Sequence, residues 1–352
     1  MVLVKALAQS GDLDVHVITL ERGRARLVVE RDGNVTIHRL PRSHWPEIAD
    51  IFVGPSRKRL LHYVQELRPD ILHTHETFGL TLGNSTIPHL FTVHGFDHAN
   101  LRADCARLAW IRSLLWKLAE RRGLSKQKHI VSITPYVKAM IASQTSATIY
   151  DIDNPVDQRY FSITRQPEPE RILCVGWISE RKNTLGSVEA FARIADRFAG
   201  ARLVIAGEAR EPEYLDQVQQ AIRRHCIGGR VTMLGHINHA ELMGELAQAS
   251  VFLLPSRQEN APMAIAEAMA AGVPVVASNR CGMPYMIEES RTGFLVDPES
   301  TEQIADRLAR LLDSKELCHR MGEAAKQVAM ERFHPEAVAE KTMAVYRKVC
   351  GK

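Results

Sequence analysis

Residues 251–298, VFLLPSRQENAPMAIAEAMAAGVPVVASNRCGMPYMIEESRTGFLVDP, read as strand, loop, short helix, strand, loop and strand. Val251 to Leu254 is a short apolar run closed by Pro255 and Ser256, the pattern of a buried parallel strand. A polar loop leads to a helix with clear end signals. Asn260 is placed to cap it, Pro262 sits near its first turn, and Gly272 with Pro274 ends it. Val273 to Ala277 is the next strand. The helix thus starts just beyond the carboxyl end of a strand, where open α/β sheets bind ligands, and its unpaired first-turn N–H groups face that crevice.

Two carboxylates flank the helix start, Glu259 and Glu267, with seven residues between them. Because Glu259 precedes the helix, both can address one ligand from different directions. Ala264, Ala266, Ala268, Ala270 and Ala271 surround Glu267, so a ligand or another backbone can come close. Taken as a lone pair, they would read as a loop carboxylate and a solvated helix carboxylate.

The surrounding residues alter that reading. PSRQENAPMAIAEAMAAGVPVVAS, followed by CGMPYMIEESRTGFLVDP, closely resembles the donor-site signature of the retaining family 4 glycosyltransferases. Their pattern is a strand ending in Pro-Ser, the E-x7-E pair, E-A-M-A-x-G-x-P-V-V and a later T-G-F-L-V strand. The resemblance implies the GT-B fold: two doubly wound, Rossmann-like α/β domains facing a cleft, with a C-terminal helix returning to the first. It implies that Glu259 contacts the donor sugar and that Glu267 holds the ribose hydroxyls. Backbone amides around Asn260, Ala261, Pro262 and Met263 would approach the sugar and diphosphate.

The 352 residues allow two domains with sizeable cores, and the composition is that of an ordinary globular protein. No run approaches the ~18–20 apolar residues of a membrane span, and no signal peptide is visible, since Lys5 interrupts the apolar start. Six dispersed cysteines show no metal-ligand spacing and suit a reducing cytosol. Residues 1–157 carry 20 Lys and Arg against 16 Asp and Glu, and ten of the 15 histidines; the remainder balances at 25 against 25. That small excess suits an anionic partner, a phosphorylated acceptor or a lipid surface.

In chain order, residues 1–9 read as a helix and Asp14 to Leu20 as a strand. Hairpin strands follow near 25–30 and 35–40, about the turn Asp32-Gly33-Asn34. Arg57 to Leu67 is amphipathic; Ile71 to His73, Leu90 to Val93, His129 to Ile133 and Thr148 to Ile152 are strands, separated by helices at 101–122 and 135–142. This βα alternation predicts a parallel doubly wound sheet in residues 1–157. Residues 158–170, with Pro167 and Pro169, read as a linker; a second doubly wound domain follows over 171–334, and 335–352 as a closing helix. The resemblance also implies a strand and a glycine-rich loop ahead of the first helix, which this chain does not contain.

His94 ends the apolar strand of LFTVHGFD. A histidine there is often a loop residue bonded to backbone; the resemblance gives it a T-x-H role, reaching the sugar. HTHE at 73–76 invites a metal, but no further ligands fall into a persuasive pattern, and no metal site is assigned. Asp151-Ile-Asp153 imitates the metal-binding DxD of another glycosyltransferase fold, yet leads into IDNPVDQRYF, which resembles the family's inter-domain connection.

At VGWISERKN, Gly176 permits close backbone approach, and Arg181 and Lys182 can neutralise phosphate. The family's pattern here is G-R-x-x-x-x-K, whose cations grip the diphosphate. Lys182 matches; Trp177 stands at the Arg position, where it can stack on a base or sugar, or pack against the sheet. Finally, in the helix of 101–122, Leu108, Ile111, Leu114, Leu115 and Leu118 share one face expected to pack inward. Trp110 and Trp116 project elsewhere, near Arg112 and Lys117, toward either a membrane interface or the underside of the HGFD loop.

The resemblance implies metal-independent transfer, with retention, from a nucleotide diphosphate sugar to a glycan or lipid-linked acceptor, in cell-envelope or exopolysaccharide synthesis. The sugar nucleotide is a co-substrate, with no cofactor and no nucleic acid partner. The setting would be cytoplasmic, with peripheral contact to an anionic membrane. A degenerate chain that binds nucleotide sugar without transferring it is the alternative.

Overall fold

The computed structural model describes residues 1–95 and 109–351. The chain divides into two compact units, Met1–Asn154 with Pro335–Lys352, and Pro155–His334.

The first unit runs α1 (Val2–Gln9), β1 (Val15–Glu21), β2 (Val28–Asp32), β3 (Val35–Pro41), α2 (Glu47–Phe52), α3 (Pro55–Leu67), β4 (Leu72–His75), α4 (Glu76–Gly79), β5 (His89–Val93), α5 (Ala109–Leu124), β6 (His129–Ser132), α6 (Pro135–Ile141) and β7 (Thr148–Asp151). Its described strands form two sheets instead of the single one expected. One has the order β1-β3-β2, with β1 parallel and β2 antiparallel to β3; the other is the parallel β4-β5-β6-β7. No described strand pairs with the outer edge of β1 or of β4, so the ladder is interrupted between them. The hairpin sits where the turn signal placed it, since Gly33-Asn34 joins β2, which ends at Asp32, to β3, and Gly33 takes φ +61°.

The second unit opens with α7 (Gln158–Phe161) and continues β8 (Arg171–Val175), α8 (Thr184–Ala195), β9 (Arg202–Ala206), α9 (Pro212–Arg224), β10 (Val231–Gly235), α10 (His239–Gln248), β11 (Val251–Leu254), α11 (Met263–Ala270), β12 (Val275–Ser278), β13 (Gly293–Val296), α12 (Thr301–Leu312) and α13 (Lys315–Phe333). Its six strands are all parallel in the order β10-β9-β8-β11-β12-β13. Alternation along each strand sends neighbours to opposite faces. Ile172, Leu203, Val251 and Val276 pack with Val188, Phe191, Val218 and Leu308 of α8, α9 and α12. Leu173, Val204, Phe252 and Val275 pack with Leu246, Ile265, Met269 and Val328 of α10, α11 and α13. Two apolar layers around one sheet explain why these strands are near-continuous hydrophobic runs. Caps mark the helix starts: Asn238 and Glu241 form a reciprocal capping box on α10, and Ser300 and Ser314 cap α12 and α13.

Residues 158–170 differ from the expected linker. Tyr160 and Phe161 of α7 are buried in the second layer, and the backbone of Gln166 and Glu168 bonds to Ala247 and Gln248. The apolar pair within QRYF outweighs the surrounding prolines. The last helix, α14 (Pro335–Val349), packs Val338, Ala339, Val345 and Tyr346 against Leu7, Leu90 and Val131 of the first unit.

Candidate active site

β11 ends at Leu254, and the loop that follows carries Glu259 into the reach of two cations. Lys182 Nζ lies 2.7 Å and Arg181 Nη1 3.0 Å from the same oxygen, Glu259 Oε1. The Lys182 and Glu259 side chains are about nine-tenths enclosed, at 13% and 11% exposure. The loops are joined by backbone as well: Arg257 N–H donates to the Arg181 carbonyl and Gly282 N–H to the Glu259 carbonyl. Arg181 also donates to the Gln258 carbonyl. A carboxylate flanked by two cations in a poorly hydrated loop is a preorganised electrostatic centre, in which charge interactions are stronger than at the surface.

Downstream, α11 begins at Met263 with Pro262 at its N-cap, and no side chain caps it. Asn260 therefore does not take the cap position expected of it, because the helix starts two residues later than a cap at Asn260 requires. Ala261 and Met263 flank this turn, where first-turn N–H groups lack helical acceptors. Four residues on, Glu267 lies on α11 among Ala266, Ala268 and Met269, all buried. Burial, with the Asp157 charge adding to it, raises its pKa to about 7. Glu267 and Asp157 both act on the Tyr160 phenol, which is buried and hydrogen-bonded to His239 Nδ1 at 2.9 Å. Sequence spacing gave no sign of Asp157 and Tyr160, because α7 meets α11 only through the packed second layer.

β8 and β9 run side by side into the same region. Gly176 has φ +142° and Gly207 φ +152°; a Cβ on Gly176 would meet Lys182 Cε at 3.0 Å, and one on Gly207 would meet the Gly176 carbonyl oxygen at 1.9 Å. Both positions thus require glycine, and Lys182 lies over Gly176 as a result. Trp177, 39% exposed, carries the Arg210 guanidinium 4.5 Å from its ring centroid. Spacing along the sequence does not point to Arg210; it comes from the loop after β9, brought there by the pairing of Ile178 with Ala209.

In the first unit, His94 directly follows β5, with its Nε2 2.8 Å from His75 Nδ1. His73, by contrast, is internal: its ring nitrogens lie 2.7 Å from the Tyr346 hydroxyl and 2.7 Å from Thr92 Oγ1. Both are thereby engaged in protein hydrogen bonds. Asp151 pairs with Lys138 at 2.7 Å.

The expectation for the helix of 101–122 is reversed in its described part. Trp116 is buried at 6% exposure against Ile51 and Ala119, while Leu114, Leu115 and Leu118 face out, with Trp110 at 69%. Leu108 lies outside the described residues. The inward face is built on Ser113, Trp116, Ala119 and Leu124, with Glu120 also buried. A helix apolar on both faces offers no periodicity from which to choose.

Residues 157–328 match the family model Glycosyl transferases group 1, and residues 1–159 match Glycosyltransferase Family 4. The chain belongs to the family 4, group 1 glycosyltransferases. Over 302 residues it is 26% identical to the glycogen synthase of Mycobacterium tuberculosis, covering 79% of this chain and 69% of that protein. It is 31% identical over 178 residues to the alpha-D-kanosaminyltransferase of Streptomyces kanamyceticus, and 31% over 184 residues to the GDP-mannose-dependent alpha-(1-6)-phosphatidylinositol monomannoside mannosyltransferase of M. tuberculosis. Those matches take in 51% and 50% of this chain and only 45% and 47% of the relatives. Sucrose-phosphate synthase from Thermosynechococcus elongatus superposes with a TM-score of 0.80 at 20% identity, over 99% of this chain and 92% of that one. Anabaena HepE, solved with UDP, superposes at 0.71 and 16%, over 89% and 86%. The fold of this glycosyltransferase is GT-B. No helix among its described residues is long and apolar enough to cross a membrane.

Proposed function

We propose that this glycosyltransferase moves a sugar from a nucleotide diphosphate sugar to a glycan or lipid-linked acceptor, with retention and without a metal. The observation that carries the reading is the Glu259, Lys182 and Arg181 cluster beside the start of α11. In the transfer, the bond between the anomeric carbon and the diphosphate oxygen breaks. The acceptor hydroxyl oxygen bonds to that carbon on the same face, and its proton passes to the departing phosphate oxygen. Negative charge grows on the diphosphate, and Lys182 and Arg181 stabilise it; one such group is commonly worth a few kcal/mol of barrier, on the order of 3. Glu259 would hold the sugar and Glu267 the ribose hydroxyls, with backbone at Asn260, Ala261, Pro262 and Met263 approaching sugar and phosphate, Gly176 leaving room for the phosphates, and His94 assigned to the sugar.

Relatives that act on nucleotide sugars and on a phosphatidylinositol mannoside, and a neighbour solved with UDP, support the donor and acceptor classes. A peripheral position on the cytoplasmic face of an anionic membrane, in envelope or exopolysaccharide synthesis, is part of this reading. The test is a thermal-shift screen of UDP-, GDP-, ADP- and dTDP-sugars, since a ligand that binds only the folded state raises the melting temperature. Transfer with the selected donor follows, with and without EDTA. A selective stabiliser, EDTA-resistant transfer and a product of unchanged anomeric configuration are expected. Donor binding with no transfer to any glycan or lipid-linked acceptor would favour the binding-protein alternative, for which the missing guanidinium at Trp177 is the observation.

A further inference from the structure

The cations around the carboxyl ends of β8, β9 and β11 differ in what they meet. Lys182 and Arg181 both end on Glu259. Arg257 is held by Glu180 and Glu299, and Arg280 by Asp297 and Glu299. Each of these four has a carboxylate. Arg210 forms no ion pair with a described carboxylate, although Glu208 and Glu211 lie near it in sequence; its guanidinium is stacked on the Trp177 indole. Stacking holds the charge by attraction to the ring face and leaves the N–H edge of the fork unused. The perch is built by the backbone: Gly207 is pressed against Gly176, the next residue is Trp177, and Lys182 lies over Gly176. Thus one residue of β8's exit carries an ammonium above it and the next carries a guanidinium.

We propose that Arg210 is a donor-binding residue that presents its guanidinium to the diphosphate, with Trp177 as the platform that holds it. The inference rests on the nucleotide-sugar reading of this site. Lys182 and Arg181 share Glu259, whereas Arg210 brings a charge that no described carboxylate neutralises. A doubly charged leaving group in a poorly hydrated site needs such a partner, and a guanidinium fork fits two phosphate oxygens at once. Trp177 therefore contributes orientation, and the rigid ring reduces the rotamer freedom that Arg210 would lose on binding.

Calorimetric titration with UDP, GDP, ADP and dTDP, each beside its nucleoside, tests this on the whole chain. For the diphosphate that the parent binds, Arg210→Ala is expected to weaken affinity about tenfold while leaving the nucleoside unchanged. Trp177→Ala should lose a similar factor, and Trp177→Phe should stay near the parent because a ring remains. The double variant Trp177→Arg with Arg210→Ala puts a guanidinium at position 177 directly and should recover most of the loss. Unchanged diphosphate affinity in Arg210→Ala overturns the proposal. So does an equal loss for nucleoside and diphosphate, or a double variant as weak as Arg210→Ala, because either assigns the effect to packing. A parent that binds none of the four diphosphates overturns the nucleotide reading itself, and the role of Arg210 with it.

Discussion

Glu267 is held where a carboxylate is poorly solvated: burial and the Asp157 charge raise its pKa to about 7. In the unfolded chain it ionises near the ordinary value of about 4.3. Between those values the native state keeps a proton that the unfolded state has released. Stability therefore falls as pH rises through the window from about 4.3 to 7, and is flat on either side. Glu267→Gln is expected to be more stable than the parent at pH 8, on the order of 1–3 kcal/mol, and equal to it at pH 4. Thermal melts at the two pH values check this. If the ionised carboxylate accepts the ribose hydroxyls, nucleotide affinity of the parent rises with pH through about 7, whereas that of Glu267→Gln is weaker and flat. At Glu259 the balance is different, because its oxygen is shared by Lys182 and Arg181. Lys182→Ala is expected to lower transfer about 100-fold, and Arg181→Ala less, since Arg181 is 32% exposed and its field is better screened. Turnover with saturating donor distinguishes the two; a fully active Lys182→Ala protein would remove the cluster from the chemistry.

At the scale of elements, α5 gives the clearest expectation. Its outward arc carries Trp110, Ile111, Leu114, Leu115 and Leu118 with Lys117, Arg121 and Arg122, all exposed, whereas its one acid, Glu120, is turned inward and buried. Apolar side chains ringed by cations, with no carboxylate on that arc, complement an anionic bilayer surface. The intact protein is expected to sediment with phosphatidylglycerol-containing vesicles at low salt and to release at high salt. Leu114→Ser with Leu118→Ser should reduce binding at least tenfold, without loss of nucleotide affinity. Absence of sedimentation at low salt, or self-association removed by the same substitutions, would assign the face to something other than lipid. What was legible in the sequence differs by element for physical reasons. The β11–α11–β12 stretch could be read because a strand, its loop and the next helix bring their functional groups together locally. The α5 face could not, because its apolar residues lie all round, and the side that is covered is the one that meets Ile48, Ile51, Phe52 and Phe78, distant in sequence. Arg210 escaped for a related reason: it reaches Trp177 through a strand pairing rather than through spacing along the chain.

Over the whole molecule, the two units carry titrating groups of opposite sign. In the first unit, burial lowers the pKa of His89 to about 4, with His129 adding to it, and pushes His73 well down, helped by His75, His89 and His94. Both rings are held by hydrogen bonds, His89 to Thr74 and His73 to Tyr346 and Thr92. In the unfolded chain these histidines take up protons near pH 6.5. The unfolded state thus binds more protons as pH falls below 6.5, so stability is lost through that window; for His89, whose window runs down to about 4, the loss is on the order of 2 kcal/mol at pH 5 relative to pH 7.5, and His73 acts in the same direction. The second unit is served by Glu267, whose contribution runs the other way, falling as pH rises toward 7. Melting is therefore expected to resolve into two transitions at pH 5, with the unit of residues 1–154 and 335–352 unfolding first. Tryptophan fluorescence separates them, because Trp45, Trp110 and Trp116 lie in the first unit and Trp177 alone in the second. In Trp177→Phe, the fluorescence midpoint should drop on going from pH 7.5 to 5, while the remaining transition, followed by far-ultraviolet dichroism, should hold or rise. His89→Gln should shrink the acid-induced drop of the first transition by about the share of one histidine. A single transition whose midpoint does not move between these pH values would show that the buried histidines keep their ordinary affinity for protons.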